Sequence, residues 1–111
     1  MAELDKAQIR SDFHEAVNMT PREIEEWLET RESRAVGQKK TPGSESVGHR
    51  SGRRIVALLR TTVADLDDDD YAHMRKVVGY VRRHGAQEPA NTVTSPWRYS
   101  LKNWGHDPLK G

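Results

Sequence analysis

Among the residues whose side chains could bind a ligand or act in catalysis, arginine and lysine form the densest groups along this sequence. One group lies in "SVGHRSGRRIVALLR" and the other in "YAHMRKVVGYVRRHG". If both stretches are helical, each group falls opposite an apolar stripe, at about 100° per residue. Lysine and arginine neutralise phosphates and supply most non-specific affinity for nucleic acid. The pattern predicts a salt-sensitive nucleic-acid-binding site that contacts the backbone through Arg50, Arg53, Arg54, Arg75, Lys76, Arg82 and Arg83, with Lys39 and Lys40 on a loop arm.

Other features favour the interpretation that these basic faces are ordinary solvent-exposed helix surfaces. Charged side chains opposite an apolar stripe are what any surface helix carries. The 111 residues have a formal net charge of only +1, and no known DNA-binding motif occurs. The loop before the first basic stretch is too long for the turn of a helix-turn-helix. The alternative is a protein-interaction module, including a homodimer, that uses the basic surface or the aromatic C-terminal segment.

The charges are distributed unevenly along the chain. Residues 1–36 carry nine acidic and five basic side chains, whereas residues 37–111 carry eight acidic and thirteen basic ones. An acidic first part and a basic second part of the chain can steer an anionic partner, or can attract each other within the fold.

Histidine, serine and aspartate form no pattern that is typical of a metal site or a catalytic site. The candidate metal ligands are His49, His73, His84 and His106, with Asp107. They lack the close spacing of zinc ligands, such as HExxH. The candidate nucleophiles are Ser44, Ser46 and Ser51, for which the sequence places no base. The run Asp67 to Asp70 is explained by a helix start, where negative charge is favourable. We expect a non-enzymatic protein with no cofactor, metal or catalytic residue.

Length and composition limit the class of protein. A chain of 111 residues is the size of one small domain. The absence of cysteine excludes disulfides, thiolate metal ligands and a cysteine nucleophile. No apolar run approaches the length of a signal-peptide core or a membrane span. These features predict a cytoplasmic protein without a membrane partner.

Apolar spacing and capping signals predict the helices that carry these residues. A first helix covers 3–17, and a second starts at Pro21, where Thr20 and Glu23 can form a capping box. A loop at about 37–46 leads to the third helix. Its apolar stripe includes Gly48 and Gly52, which permit a neighbouring backbone to approach closely.

The fourth helix and the C-terminal segment have clear start and stop signals. Asp67 can cap the fourth helix, and Gly85 can end it. A linker at about 86–94 follows. In the last segment Ser95 caps, Pro96 takes the first helical position, and one apolar face is formed by Trp97, Leu101 and Trp104. Because this face is large, we expect the segment to dock as the final wall of the core.

Four stretches of the sequence resemble one protein family. They are "FHEAVNMTPREIEEWLET", "SVGHRSGRRIVALLR", "DDDYAHMRKVVGYVRRHGAQ" and "WRYSLKNWGHDP". They are similar to the small bacterial proteins of the domain of unknown function 3140 family, and they cover most of the chain from Phe13 to Pro108. The resemblance implies no established activity, cofactor or catalytic residue.

The sequence as a whole predicts an all-α domain over residues 1–111. We expect a compact bundle of about four helices plus a short C-terminal tryptophan-rich helix, with a loose N-terminus, the mobile loop at 37–46 and the linker at 86–94. The predicted partner is the DNA or RNA backbone, with a protein partner or a second copy of the chain as the alternative.

Overall fold

The structure, a computed structural model, describes residues 5–36 and 45–110. Within these ranges the chain forms six α-helices, one 3-10 turn and no strand, which confirms the all-α fold. The helices are α1 (Lys6–Ala16), α2 (Pro21–Leu28), α3 (Arg31–Ala35), α4 (Val47–Arg60), α5 (Asp68–Gly85) and α6 (Pro96–Asn103), and the 3-10 turn is Val63–Asp65. The predicted third and fourth helices are therefore α4 and α5, and the C-terminal helix is α6.

The helix starts follow the capping signals of the sequence. The Thr20 hydroxyl accepts a hydrogen bond from the Glu23 N–H (3.1 Å), and the Glu23 carboxylate accepts one from the Thr20 N–H (2.8 Å). Asp67 and Asp70 form the same reciprocal box at the start of α5. Ser95 caps α6 directly before Pro96. Each box satisfies N–H groups that a helix start leaves without a partner, and the predicted starts of these three helices are confirmed.

The short helix α3 is an addition to the predicted helices. The Thr30 hydroxyl caps it by accepting a hydrogen bond from the Ser33 N–H (3.1 Å). Its five residues are too few to show a helical apolar period, because one turn takes 3.6 residues.

The core lies where α6 meets two pairs of packed helices. The helix α1 packs on α5, α2 packs on α4, and α6 contacts α2, α3, α4 and α5. The largest apolar side chains that are fully buried are Phe13, Ile24, Ile55, Met74, Val77 and Leu101. All except Leu101 belong to one cluster, which Trp104 also joins, so burial of this cluster holds the elements together.

Gly48 and Gly52 form the surface on which α6 rests. A Cβ atom at Gly52 would lie 2.5 Å from the backbone oxygen of Asn103, and one at Gly48 would lie 2.9 Å from Nε1 of Trp104. Contacts this short would force the neighbour to move. The predicted close approach is confirmed, and the neighbour is the C-terminal end of α6.

The tryptophan-rich segment is part of the core, as predicted. Trp97 is 8% exposed, Trp104 is 4% exposed, and Leu101 is fully buried. Gly105 ends the segment with a φ of 78°, a backbone conformation that glycine adopts without strain. Its carbonyl accepts a hydrogen bond from the Met19 N–H (3.2 Å), which ties the segment to the residues between α1 and α2.

The predicted connecting segments are only partly described. Residues 86–94 contain no helix, in agreement with the predicted linker. Most of the predicted loop at 37–46, with Lys39, Lys40 and Ser44, lies outside the described residues, as do residues 1–4 of the predicted loose N-terminus. None of the described helices is long and apolar enough to cross a membrane.

Candidate functional site

The three arginines of α4 in the predicted site are paired with acidic side chains. Arg53 Nη2 lies 2.5 Å from Glu45 Oε1, and Arg50 Nε lies 4.0 Å from the same oxygen. Arg54 Nη2 lies 3.4 Å from Asp70 Oδ1 at the start of α5. Their positive charge is therefore partly compensated within the fold, and a phosphate would have to compete with these carboxylates.

Glu45 is the centre of this compensation. Its carboxylate bonds with Arg53 and also with the imidazole of His49. Burial raises the pKa of Glu45. The hydrogen bonds with His49 and Arg53 lower it by more than burial raises it, so the pKa lies below the ordinary value. The other imidazole nitrogen of His49 lies 2.8 Å from the Leu28 carbonyl oxygen, which fixes the ring against α2.

The basic residues of α5 have fewer acidic partners. Arg75, Lys76 and Arg83 are exposed, and no carboxylate of residues 5–36 or 45–110 lies within 4 Å of their charged groups. Arg82 has only a loose ion pair, at 3.8 Å, with Asp12 of α1. We call Arg75, Lys76, Arg82 and Arg83 the α5 basic face.

Small residues run along the middle of the α5 basic face. At 100° per residue, Ala72 and Gly79 lie between the pair Arg75 and Arg82 and the pair Lys76 and Arg83. Arg83 bends back over this line, because a Cβ atom at Gly79 would lie 3.1 Å from its Nη1. The face thus presents two rows of cations on either side of a line of small residues, part of which the Arg83 side chain covers.

A cleft adjoins the α5 basic face on the side of Lys76 and Arg83. Its volume is about 520 Å³, which is in the range of small-molecule sites. The lining residues are Val47 and Gly48 of α4, Lys76, Tyr80, Arg83 and His84 of α5, and Ser100, Asn103 and Trp104 from the end of the chain. Two of them are cationic and none is acidic. The cleft is therefore suited to an anion.

Four aromatic rings stack in a column, and three of them, those of Trp104, Tyr80 and His84, line the cleft. His73 and Trp104 have centroids 6.3 Å apart, Trp104 and Tyr80 are 4.3 Å apart, and Tyr80 and His84 are 5.1 Å apart. The planes of each pair lie within about 21° of each other. Burial raises the pKa of the Tyr80 hydroxyl, and a hydrogen bond with Ser100 opposes that shift only in part.

Two nitrogen atoms of this wall are not used within the described part of the chain. Nε2 of His84 is buried and has no hydrogen-bond partner there. Trp27 and Trp97 donate their indole N–H groups to Asn103 Oδ1 (2.8 Å) and to the His84 carbonyl (2.7 Å), whereas that of Trp104 has no acceptor among these residues. Burial lowers the pKa of the His84 imidazole, and a hydrogen bond with the Trp97 backbone opposes that shift only in part.

The candidate metal ligands take up separate roles. His49 contacts Glu45, His73 lies beside Ser51, and Nδ1 of His106 lies 2.8 Å from the Ala16 carbonyl oxygen. Asp107 pairs with Arg98 at 3.1 Å. Across the described ranges, no three histidine, aspartate or glutamate side chains are grouped so that they could hold a metal ion.

One serine and one histidine do meet, although the sequence places no base beside any serine. Ser51 Oγ lies 2.9 Å from His73 Nε2 and joins α4 to α5. Ser51 is only 3% exposed. Burial, helped by the charges of Arg54 and Lys76, lowers the pKa of His73 to about 4, so the imidazole is neutral at pH 7. Ser46 instead caps α4.

The structure separates the seven predicted site residues into two groups and adds a cleft that sequence reasoning missed. The α4 group is compensated by Glu45 and Asp70, and the α5 group is largely uncompensated. The cleft depends on contacts between residues far apart in the chain. The signals of it in the sequence are the spacing of Lys76, Tyr80 and Arg83 on one side of α5 and the glycine groove that includes Gly48.

Comparison with known proteins identifies the family without adding an activity. No curated protein and no solved structure matches the chain. A family model described as "Protein of unknown function (DUF3140)" matches residues 12–102, from the second half of α1 to the last turn of α6. The chain therefore belongs to the DUF3140 family.

Proposed function

We propose that the protein is a non-enzymatic nucleic-acid-binding protein that contacts the phosphate backbone through the α5 basic face. The observation that carries this proposal is the exposure of Arg75, Lys76 and Arg83 on one helix face without an acidic partner in the described chain. An uncompensated cation attracts phosphate more strongly than one already paired with a carboxylate. The charge of such a surface acts on the backbone, so little base reading is expected.

The distribution of ion pairs favours a smaller contribution of α4 than of α5 to nucleic-acid binding. Arg50, Arg53 and Arg54 lie close to Glu45 or Asp70. Binding of phosphate to them would leave a carboxylate without its partner. We therefore expect α5 to supply most of the affinity and α4 to add to it at the edge of the interface.

Two ion pairs of the acidic first part of the chain support the fold away from this face, and Asp12 reaches Arg82 of the face only at 3.8 Å. Glu25 of α2 binds Arg60 of α4 through two contacts, at 2.6 and 3.1 Å, and Glu23 binds Lys110 at 2.5 Å. These pairs join the acidic first part of the chain to its basic second part. The net charge of the chain is close to zero, but the α5 basic face has a local excess of positive charge.

A protein-interaction module is less well supported. An aromatic C-terminal anchor would need exposed rings, and Trp97 and Trp104 are buried in the fold. The basic surface remains open to an acidic protein, whose binding would also weaken as salt is added.

Salt dependence tests the proposal directly. A fluorescent DNA duplex should bind the purified chain with micromolar affinity at about 50 mM salt and weaken steeply towards about 200 mM. The logarithm of the affinity should fall with the logarithm of the salt concentration by roughly 0.9 per phosphate contact. Three or four contacts therefore give a slope near −3. No binding at the lower salt concentration would refute the proposal.

A further inference from the structure

We infer that the cleft between α4, α5 and the end of the chain binds a phosphorylated nucleoside, either as a free mononucleotide or as an unpaired nucleotide of a strand. This inference rests on the proposed function, because Lys76 and Arg83 belong to both the cleft and the α5 basic face.

The charge of the cleft selects an anion. Lys76 and Arg83 line it, and no acidic side chain is among the lining residues. Val47 and Gly48 are the first two residues of α4, so the positive end of that helix dipole adds to the field of the two cations. The two side chains stand seven residues apart on α5, which places them on the same side of the helix. Both cations are therefore available to a phosphate group in the cleft.

The size and composition of the cleft require more than an inorganic anion. Its volume of about 520 Å³ suits a ligand with an organic body as well as a phosphate. The remaining wall combines the polar Ser100 and Asn103 with the exposed Val47, Tyr80 and the buried Trp104. A flat heteroaromatic ring can pack against the edges of Tyr80 and Trp104, whose faces already stack on neighbouring rings.

Unused hydrogen-bonding atoms complete the complementarity. Buried polar atoms normally have a partner, yet Nε2 of His84 has none in the described chain. The indole N–H of Trp104 lies beside Gly48, which is also a lining residue. The ring nitrogens and exocyclic groups of a nucleobase, or the hydroxyls of its sugar, supply both donors and acceptors for these two atoms.

The three tryptophans provide an internal control for the test. In the ¹⁵N-labelled full chain, each indole N–H gives its own NMR signal. Titration with AMP should shift the Trp104 signal, whereas the signals of Trp27 and Trp97, which donate to protein acceptors, should move much less. Inorganic phosphate and adenosine are the two partial ligands. Each should bind at least tenfold more weakly than AMP.

Val47 provides the matched variants, because its side chain is 36% exposed and lies outside the buried core. Val47→Glu places a negative charge at the cleft and should weaken AMP binding at least tenfold. Val47→Gln has a side chain of the same length without the charge and should bind AMP at least tenfold more tightly than Val47→Glu does. Equal binding by both variants would overturn the assignment of the ligand to this cleft.

The remaining arms separate this inference from the proposed function. A short single strand that shifts the Trp104 signal when AMP does not identifies an unpaired nucleotide in a strand as the ligand. Binding of phosphate as tight as that of AMP overturns the nucleoside assignment. If a fully paired duplex binds but neither AMP nor the single strand shifts the Trp104 signal, the nucleotide site in the cleft is refuted and the proposed function stands. Failure of the duplex together with binding of AMP refutes the proposed function and leaves the cleft.

Discussion

The indole ring of Trp104 stacks on the phenol ring of Tyr80, with centroids 4.3 Å apart and planes 16° apart. This contact joins the end of α6 to the middle of α5, and it forms the wall of the cleft beside the α5 basic face. The same two rings therefore belong to the core and to the candidate site. Substitutions in the wall should act on stability first, so the functional tests use residues at its rim.

Removal of the Trp104 ring should destabilise the fold strongly. Trp104 is 4% exposed and packs on Gly48, His73 and Tyr80. Truncation of a buried tryptophan to alanine costs about 3–5 kcal/mol, which corresponds to a fall of more than about 10 °C in Tm for a domain of this size. Thermal denaturation followed by circular dichroism measures the change. Val63→Ala, at an exposed position, is the control and should leave Tm within about 2 °C.

Two glycine-to-alanine substitutions should change stability in opposite directions. At Gly52 the new methyl group would meet the Asn103 backbone oxygen at 2.5 Å, so Gly52→Ala should cost about 1–3 kcal/mol. At Gly85, the last residue of α5, a Cβ atom would meet no atom within 4 Å. Gly85→Ala should stabilise the fold by about 0.4–1 kcal/mol. Urea denaturation compares both variants with the parent chain, and a stable Gly52→Ala variant would contradict the packing of α6 on α4.

The stability of the fold should fall as the pH is lowered through the range of the imidazole groups. The pKa of His73 is about 4 in the folded chain, against 6.5 for the ordinary side chain, because of its burial and the charges of Arg54 and Lys76. Between these values the unfolded chain binds a proton that the folded chain does not. Its contribution to stability is therefore complete above about pH 6.5 and is lost as the pH falls towards 4.

A substitution isolates the part of this pH dependence that is due to His73. His73→Gln can retain a hydrogen bond with Ser51 but cannot titrate. The urea midpoint of the parent chain should fall between pH 7 and about 4.5, and that of the variant should fall less over the same range. His84, whose pKa is also lowered, titrates in both proteins and cancels from the comparison. Parallel pH profiles would show that His73 does not have the lowered pKa.

Local features of the sequence predicted the helices and most of the core. The capping box at Thr20, the aspartate cap at Asp67 and the glycine after Trp104 depend on neighbouring residues, so the sequence contains everything needed to recognise them. The buried stripe of α5 follows the helical period in the same way. The docking of α6 could be predicted because Trp97, Leu101 and Trp104 share one large apolar face.

Contacts between distant residues could not be predicted. Asn103 is fully buried and accepts hydrogen bonds from Trp27 and Ser33, which lie 76 and 70 residues away in sequence. A single asparagine near a chain end carries no sign of such partners. The ion pair between Arg53 and Glu45 could not be predicted either, because the two residues lie eight positions apart and on opposite sides of a helix start. The division of the basic residues into paired and unpaired groups therefore needed the folded structure.

The most direct test of the central claim compares two triple variants in DNA binding at about 50 mM salt. One variant carries Arg75→Gln, Lys76→Gln and Arg83→Gln on the α5 basic face. The other carries Arg22→Gln, Arg31→Gln and Arg34→Gln on α2 and α3, and so loses the same charge from exposed positions of the acidic part of the chain. We expect the α5 variant to lose at least tenfold in affinity and the α2–α3 variant to lose less than about threefold, with Tm unchanged in both. Equal losses in the two variants, or undiminished binding by the α5 variant, would contradict the assignment of nucleic-acid binding to α5.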